Sequence, residues 1–160
     1  ARRDDGIKPE IETLEPAFFD TVFTNYAMIA EENEKGFTGQ NQVSRPIHTD
    51  KTLLKQLMTI LFDNAIKYTE DDGHVIFTVR TNDRHLYISV ADNGPGISDS
   101  DKKKIFDRFY RVDKARTRQK GGFGLGLSLA QQIVLALKGT IVVKDNHPKG
   151  TIFEVKITGV

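Results

Sequence analysis

The chain has 160 residues, 38% of them apolar and 28% charged, which is the length and make-up of one folded domain and excludes wholesale disorder. Its 23 basic and 22 acidic side chains leave a formal charge of +1, too balanced for a general polycation that coats nucleic acid or a membrane surface. No cysteine is present, so disulfides, thiolate zinc sites and cysteine nucleophiles are excluded and a reducing compartment is permitted.

The first residues, Ala1-Arg2-Arg3-Asp4-Asp5-Gly6, contain neither an initiator Met nor a following apolar run. Residues 1–7 are therefore expected to be the remnant of a connector, and 8–160 the domain itself. Ile11 and Leu14 suggest a short strand, and Glu15-Pro16 a helix start, because proline is tolerated in the first turn. Phe19, Val22, Phe23, Tyr26 and Ala30 recur at helical spacing and predict a first helix over about 16–34, closed by Gly36. Residues 37–48 are expected to be extended, and Asp50 is a candidate N-cap for a second helix reaching Tyr68.

Val75, Phe77 and Val79 alternate with polar neighbours, as do Leu86, Ile88 and Val90, which predicts an antiparallel hairpin turning at 82–84. Ser98 is a candidate cap for a short helix over 99–106. Residues 107–123 then form a charged stretch without apolar periodicity, longer than the roughly 12–15 residues that a structureless loop in a compact domain usually reaches. The longest uncharged stretch, Gly121 to Leu137, has 17 residues, close to a membrane span. Its four glycines, Ser128 and Gln131-Gln132 favour a helix over about 125–138 after a glycine loop. Strands over 140–145 and 151–158 end the chain, and the whole pattern predicts an α+β two-layer sandwich.

On a wheel with Leu57 at the origin, Leu53, Ile60 and Leu61 form the expected buried stripe of the second helix. Asn64 falls about 20° from Leu57, where a carboxamide is costly unless its hydrogen bonds are met. Two readings follow: a structural amide bonded to backbone, or an oxygen ligand to a hard cation such as Mg²⁺. Lys67 and Tyr68 lie three and four residues on, so an ammonium for phosphate and an aromatic face for a base share that helix end.

Asp92-Asn93-Gly94-Pro95-Gly96-Ile97 has the chemistry of a strand-to-helix turn. Beyond turn chemistry, Asp92 places a carboxylate, an acceptor only, at a strand end, where it suits the exocyclic amine of adenine and rejects the carbonyl of guanine. Gly121-Gly122-Phe123-Gly124-Leu125-Gly126-Leu127 runs into a helix and reads either as a flexible linker or as a phosphate cradle. It is neither a P-loop nor a Rossmann fingerprint. Ahead of it Arg108, Arg111, Lys114, Arg116, Arg118 and Lys120 stand against Asp107 and Asp113, leaving +4 in a chain of net +1. That loop is either a solvated basic face or a lid over an anion. No nucleic-acid motif surrounds its aromatics.

In order and spacing, DNAIKY at 63–68, DNGPGI at 92–97, FDRFYR at 106–111, GFGLGL at 122–127 and Gly150-Thr151 resemble the N, G1, F, G2 and final GT boxes of sensor histidine kinases. The family is the catalytic ATP-binding domain of two-component systems, which shares the Bergerat fold of gyrase, heat-shock chaperones and mismatch-repair ATPases. The resemblance implies a mixed sheet of about five strands, three helices on one face and a long ATP lid. It makes Asn64 the Mg²⁺ ligand, Lys67 the phosphate contact, Tyr68 the adenine wall and Asp92 the acceptor of the adenine amine, with Gly94 and Gly96 shaping the loop. Arg111 is similar to the arginine that reaches the γ-phosphate, and Gly122, Gly124 and Gly126 offer backbone to phosphates. Ile97, Tyr110, Leu125 and Leu127 fall in the same boxes, and Thr151 completes the base pocket.

The family pattern has an Asn four residues before the Mg²⁺ ligand, where this chain has Ile60, and a Thr where it has Phe123. ATP-hydrolysing relatives carry a Glu at the Ile60 position, and isoleucine cannot act as a base on water. The resemblance thus implies phosphoryl transfer from ATP to a histidine on a separate dimerisation domain of the same protein, and from there to a response regulator. His48, His74, His85 and His147 all fall in extended or loop segments, so none is the expected acceptor. The expected parent is a membrane-anchored homodimer whose cytoplasmic portion includes this domain, monomeric by itself, with no nucleic-acid partner.

Overall fold

The structure, a computed structural model, describes residues 7–110 and 126–160. The expected connector, 1–7, and the expected lid therefore lie almost wholly outside the described residues, as do Arg111, Gly122, Gly124 and Leu125. In chain order the elements are β1 (Glu12–Leu14), α1 (Ala17–Glu32), β2 (Gly36–Gln42), β3 (Ile47–Thr49), α2 (Lys51–Tyr68), β4 (His74–Asn82), β5 (His85–Asp92), α3 (Asp99–Lys102), α4 (Gly126–Ala136), β6 (Gly139–Asp145) and β7 (Thr151–Thr158).

Five strands form one mixed sheet in the order β2-β4-β5-β7-β6, with β2 parallel to β4 and every other pair antiparallel. β1 pairs with β3 in a separate two-stranded sheet. Alternation sets the layers: Val75, Phe77 and Val79 of β4, Leu86, Ile88 and Val90 of β5, and Phe153, Val155 and Ile157 of β7 are buried on one face, beneath α1, α2 and α4. Tyr26 of α1 stacks on Phe62 of α2 with centroids 4.2 Å apart and rings 3° from parallel, and Phe37 and Phe77 close around them. The mixed five-stranded sheet carrying helices on one face is as expected.

Four local expectations need correction. α1 ends at Glu32 and not at 34, because Glu34 takes φ +59° and the Lys35 N–H returns to the Ala30 carbonyl at 2.9 Å. Gly36 opens β2 instead of closing the helix, and a Cβ there would lie 2.2 Å from the His74 ring. The short helix after Ser98 stops at Lys102, and separate turns carry the chain on to Tyr110. Ser98 does cap it, its hydroxyl accepting the Asp101 N–H at 3.2 Å.

The fourth correction bears on the site. The buried face of α2 is Leu54, Leu57, Met58, Leu61, Phe62, Ala65 and Ile66, while Leu53, Ile60 and Asn64 are only half-buried. The stripe is rotated from the expected one, so Asn64 stands on its flank and no buried amide has to be satisfied. Asp50 caps the helix as expected, accepting the Leu53 N–H on Oδ1 at 2.9 Å.

Candidate functional site

α2 ends at Tyr68 because Thr69 turns to extended backbone, and the chain reverses through Gly73 into β4. Asn93 secures that corner: its Oδ1 accepts from the Thr69 hydroxyl at 3.1 Å and from the His74 N–H at 3.0 Å. Gly94 then passes so close to the helix end that a Cβ would lie 2.2 Å from the Tyr68 carbonyl oxygen. The loop after β5 is thus seated on the helix end that carries Asn64, Lys67 and Tyr68. Those three side chains are half-buried at one end of the domain, as the i, i+3, i+4 spacing requires.

Asp92 is the last residue of β5 and is 4% exposed. Two backbone donors reach it, the Gly94 N–H at 2.9 Å and the Thr151 N–H at 3.2 Å, and both end on Oδ1. Oδ2 has no hydrogen-bond partner among the described residues and is not a sealed, buried orphan atom. Burial pushes the carboxyl above the usual carboxylate range, and the two N–H donors partly offset that. The result is a fixed acceptor with one oxygen held by the fold and one available to a ligand donor.

The β6–β7 hairpin closes the back of this acceptor. Thr151 is buried at the start of β7, and Gly150 has φ +112° with room for no side chain, since a Cβ would lie 1.9 Å from the Asp92 carbonyl oxygen. Gly96, at φ +85°, faces the Gly150 carbonyl, with 3.5 Å to where a Cβ would stand. Ile97 is half-buried against the core on the same loop.

α4 meets α2 where Gly126 faces Ile60, a Cβ at 126 standing 3.6 Å from Ile60 Cγ2. Ile60, the departure from the kinase pattern, therefore packs against the first residue of α4, and Leu127 is half-buried beside it. Tyr110 is held by a role the sequence did not signal: its hydroxyl donates to Asp101 Oδ1 on α3, a bond that raises the phenol above its ordinary range. α3 is in turn tied to the sheet, because Lys102 bridges Asp99 at 2.9 Å and Asp145 at 2.7 Å.

Of the expected site residues, the structure brings Tyr68, Asp92, Gly94 and Thr151 into direct contact, with Gly96 facing the Gly150 carbonyl and with Asn64 and Lys67 on the adjoining flank of α2. Gly126 stands further back, against Ile60 of α2. Asn93, Thr69 and Asn146 are parts of the assembly that sequence reasoning missed. An open cleft of about 640 Å³ lies along the N-terminal half of α2, lined by Glu12, Lys51, Thr52, Lys55, Gln56, Thr59 and Ile60. It has no glycine in its lining and no buried acceptor. Among the described residues no group of three His, Cys, Asp or Glu is placed to hold a metal.

A mixed sheet with three helices on one face, a buried acid at the end of a central strand and glycines where two loops meet it define the ATPase class shared by histidine kinases, gyrase B and HSP90. The family model described as histidine kinase-, DNA gyrase B-, and HSP90-like ATPase matches residues 49–159, and the chain belongs to that family. It is 71% identical over 157 residues to the sensor protein CiaH of Streptococcus pneumoniae serotype 4, a match covering 98% of this chain and 35% of that protein. Among solved structures it is similar to the mycobacterial sensor histidine kinase MprB, with 26% identity and a TM-score of 0.76 over 92% of this chain and 98% of that one. It also shares the fold of the histidine kinase ThkA, solved in complex with the response regulator protein TrrA, at 23% identity and a TM-score of 0.77 over 95% of this chain and 42% of that one. The chain thus spans about a third of the length of CiaH, and within such sensor kinases this is the catalytic ATPase-type domain. No helix among the described residues is long and apolar enough to cross a membrane.

Proposed function

We propose that the domain binds ATP together with Mg²⁺ and donates the γ-phosphate to a histidine on a separate dimerisation domain of the same sensor kinase, which then feeds a response regulator. The observation that carries the reading is the half-engaged Asp92 carboxylate. Oδ1 is fixed by the Gly94 and Thr151 amides, and Oδ2 is left to accept an N–H from the exocyclic amine of adenine. A base with a carbonyl at that position would set oxygen against carboxylate, with no proton between them.

Tyr68 walls the base and Thr151 completes its pocket, while Ile97, Tyr110 and Leu127, and Leu125 outside the described residues, are assigned to the nucleotide from their places in the motifs. Lys67 contacts phosphate, and Gly126, with Gly122 and Gly124, offers backbone amides to the phosphate oxygens. Asn64, half-buried and with no hydrogen-bond partner among the described residues, suits a Mg²⁺ ligand. The bound cation would neutralise phosphate charge while keeping most of its ligands from water and phosphate. Arg111 is assigned to the γ-phosphate from its place in the motif. Transfer breaks the bond from the γ-phosphorus to the bridging oxygen, releases ADP and forms a phosphorus–nitrogen bond to the acceptor imidazole. Direct hydrolysis lacks its base, because Ile60 occupies that position and packs on α4. The parent is proposed to be a membrane-anchored homodimer with this domain in the cytoplasm.

The test is labelled ATP given to the domain with and without a separately made dimerisation domain that carries the acceptor histidine. Acid-labile, base-stable phosphate should appear on the added domain and not on this chain, and Asn64→Ala should abolish its Mg²⁺ dependence. Strong phosphorylation of this chain alone, or ATP turnover without acceptor, would overturn the proposal.

A further inference from the structure

The β5–β7 register runs to Ala91 opposite Ile152 and then changes character at Asp92. There the Thr151 N–H goes to the Asp92 side chain, and the Asp92 main-chain carbonyl receives the side-chain amide of Asn146, Nδ2 to oxygen 2.8 Å. Asn146 is half-buried at the start of the β6–β7 turn, 54 residues away in sequence.

The orientation of that amide follows from its partners. Asn146 Oδ1 accepts the His147 N–H at 2.9 Å while Nδ2 donates to a carbonyl, so a flipped amide would lose both bonds. The Asn146 N–H itself donates to the Gly150 carbonyl at 2.9 Å, closing the turn on the residue that lies against the Asp92 carbonyl. Asp92 is therefore held at two points from one hairpin, its carboxylate by Thr151 and its main chain by Asn146. A carboxylate held only by its own oxygen can still swing about its side-chain torsions. The Gly94 and Thr151 donors limit that rotation, and fixing the main-chain carbonyl holds the backbone from which the side chain springs, so the two together set where Oδ2 points.

We infer that Asn146 is a positioning residue for adenine selection: it acts through Asp92, touches no nucleotide, and sets the direction of the free carboxylate oxygen. The inference rests on the assignment of Asp92 to the adenine amine. Nothing in the motif spacing marks Asn146, because the contact is made by tertiary placement of a hairpin turn.

The test compares calorimetric affinities for ATP and for ITP, which carries a carbonyl where adenine has its amine, in wild type, Asn146→Asp, Asn146→Ala and Asp92→Asn. Asn146→Asp keeps the size and the Oδ1 acceptor but sets an anionic oxygen against the Asp92 carbonyl. The expected result is about a tenfold loss of ATP affinity in both Asn146 variants, the order of one lost hydrogen bond, with ITP affinity unchanged. Unchanged ITP binding also shows that the site remains folded, and Asn146→Ala covers the case in which the charged variant fails to fold. Equal loss of both nucleotides, or no loss of either, while Asp92→Asn still erases the ATP preference, would overturn the inference and leave the nucleotide reading standing. If Asp92→Asn itself leaves the preference unchanged, the reading of Asp92 fails and the role of Asn146 fails with it.

Discussion

Replacing Gly150 by alanine probes the junction between the β6–β7 hairpin and the adenine acceptor. Gly150 sits at φ +112°, where a residue with a side chain carries strain of about 1–3 kcal/mol. Its Cβ would lie 1.9 Å from the Asp92 carbonyl oxygen and 2.8 Å from both Asn93 Cα and the Asp92 carbonyl carbon. All three are backbone atoms, so no side-chain rotation relieves the overlap. Ordinary contact begins near 3.4 Å, and the difference from 1.9 Å requires the hairpin to retreat by roughly 1.5 Å. The Thr151 N–H already reaches Asp92 Oδ1 at 3.2 Å, the long end of a hydrogen bond, and such a retreat breaks it. Asp92 then keeps one of its two fixing donors, and the bond it offers the adenine amine loses its alignment. A hydrogen bond to a charged group is worth about 1.5–3 kcal/mol, which corresponds to roughly 10- to 150-fold in dissociation constant. Gly159→Ala is the comparison, since Gly159 has φ +77° and nothing within 4 Å of a built Cβ. Calorimetry with ATP, together with thermal melting, should show Gly150→Ala melting below Gly159→Ala and binding ATP at least tenfold more weakly. A Gly150→Ala protein with wild-type melting and wild-type ATP affinity would refute the steric reasoning.

Tyr26→Phe should destabilise the fold by about 1 kcal/mol in urea titrations, because it removes the 2.9 Å bond between the buried Tyr26 hydroxyl and Thr59. Burial also pushes the Tyr26 phenol from 10.0 up to about 12, so the unfolded chain ionises first. Wild-type stability should then fall as pH rises from about 10 to about 12, and Tyr26→Phe should lack that part of the decline. Asp92→Asn should melt above wild type at pH 7 without nucleotide: the raised carboxyl means the charged form is disfavoured in the fold, and an Asn Oδ1 can still accept from Gly94 and Thr151. For the same reason ATP affinity of the wild type should weaken as falling pH protonates Asp92. Ile60→Ala should cost roughly 1–2 kcal/mol, less than a fully buried truncation, whereas Gly126→Ala should be neutral or slightly stabilising in melting because, among the described residues, its Cβ meets only Ile60, and at ordinary distance.

The sequence made most of the architecture legible because local rules and tertiary packing agree along the sheet and α2. Asp50 caps α2 as its position suggests, and the alternation in β4 and β5 is the burial pattern of the hairpin. A helical wheel, by contrast, fixes relative angles only; the line that faces the core is set by α1, α4 and the sheet, so the burial expected at Leu53, Ile60 and Asn64 was overstated. The end of α1 escaped because a glutamate, not a glycine, takes the left-handed conformation. β1 and β3 escaped as a pair because each has three residues and the partners are remote in sequence. At the site, the motif residues Asp92, Gly94 and Thr151, far apart in sequence, meet in the fold. The fixing contacts of Asn93 and Asn146 were not, since an Asn in a turn signals the turn and not the distant carbonyl or hydroxyl it will meet.

The most direct test of the Asp92 assignment is a backbone-amide NMR titration with ATP·Mg²⁺ and, in parallel, with ITP·Mg²⁺. Gly94 and Thr151 donate to Oδ1 of the same carboxylate whose Oδ2 is assigned to the adenine amine, so their amide resonances should move strongly with ATP and far less with ITP. Shifts that leave Gly94 and Thr151 in place and gather instead along Lys51, Lys55 and Gln56 of the neighbouring cleft would contradict the assigned site.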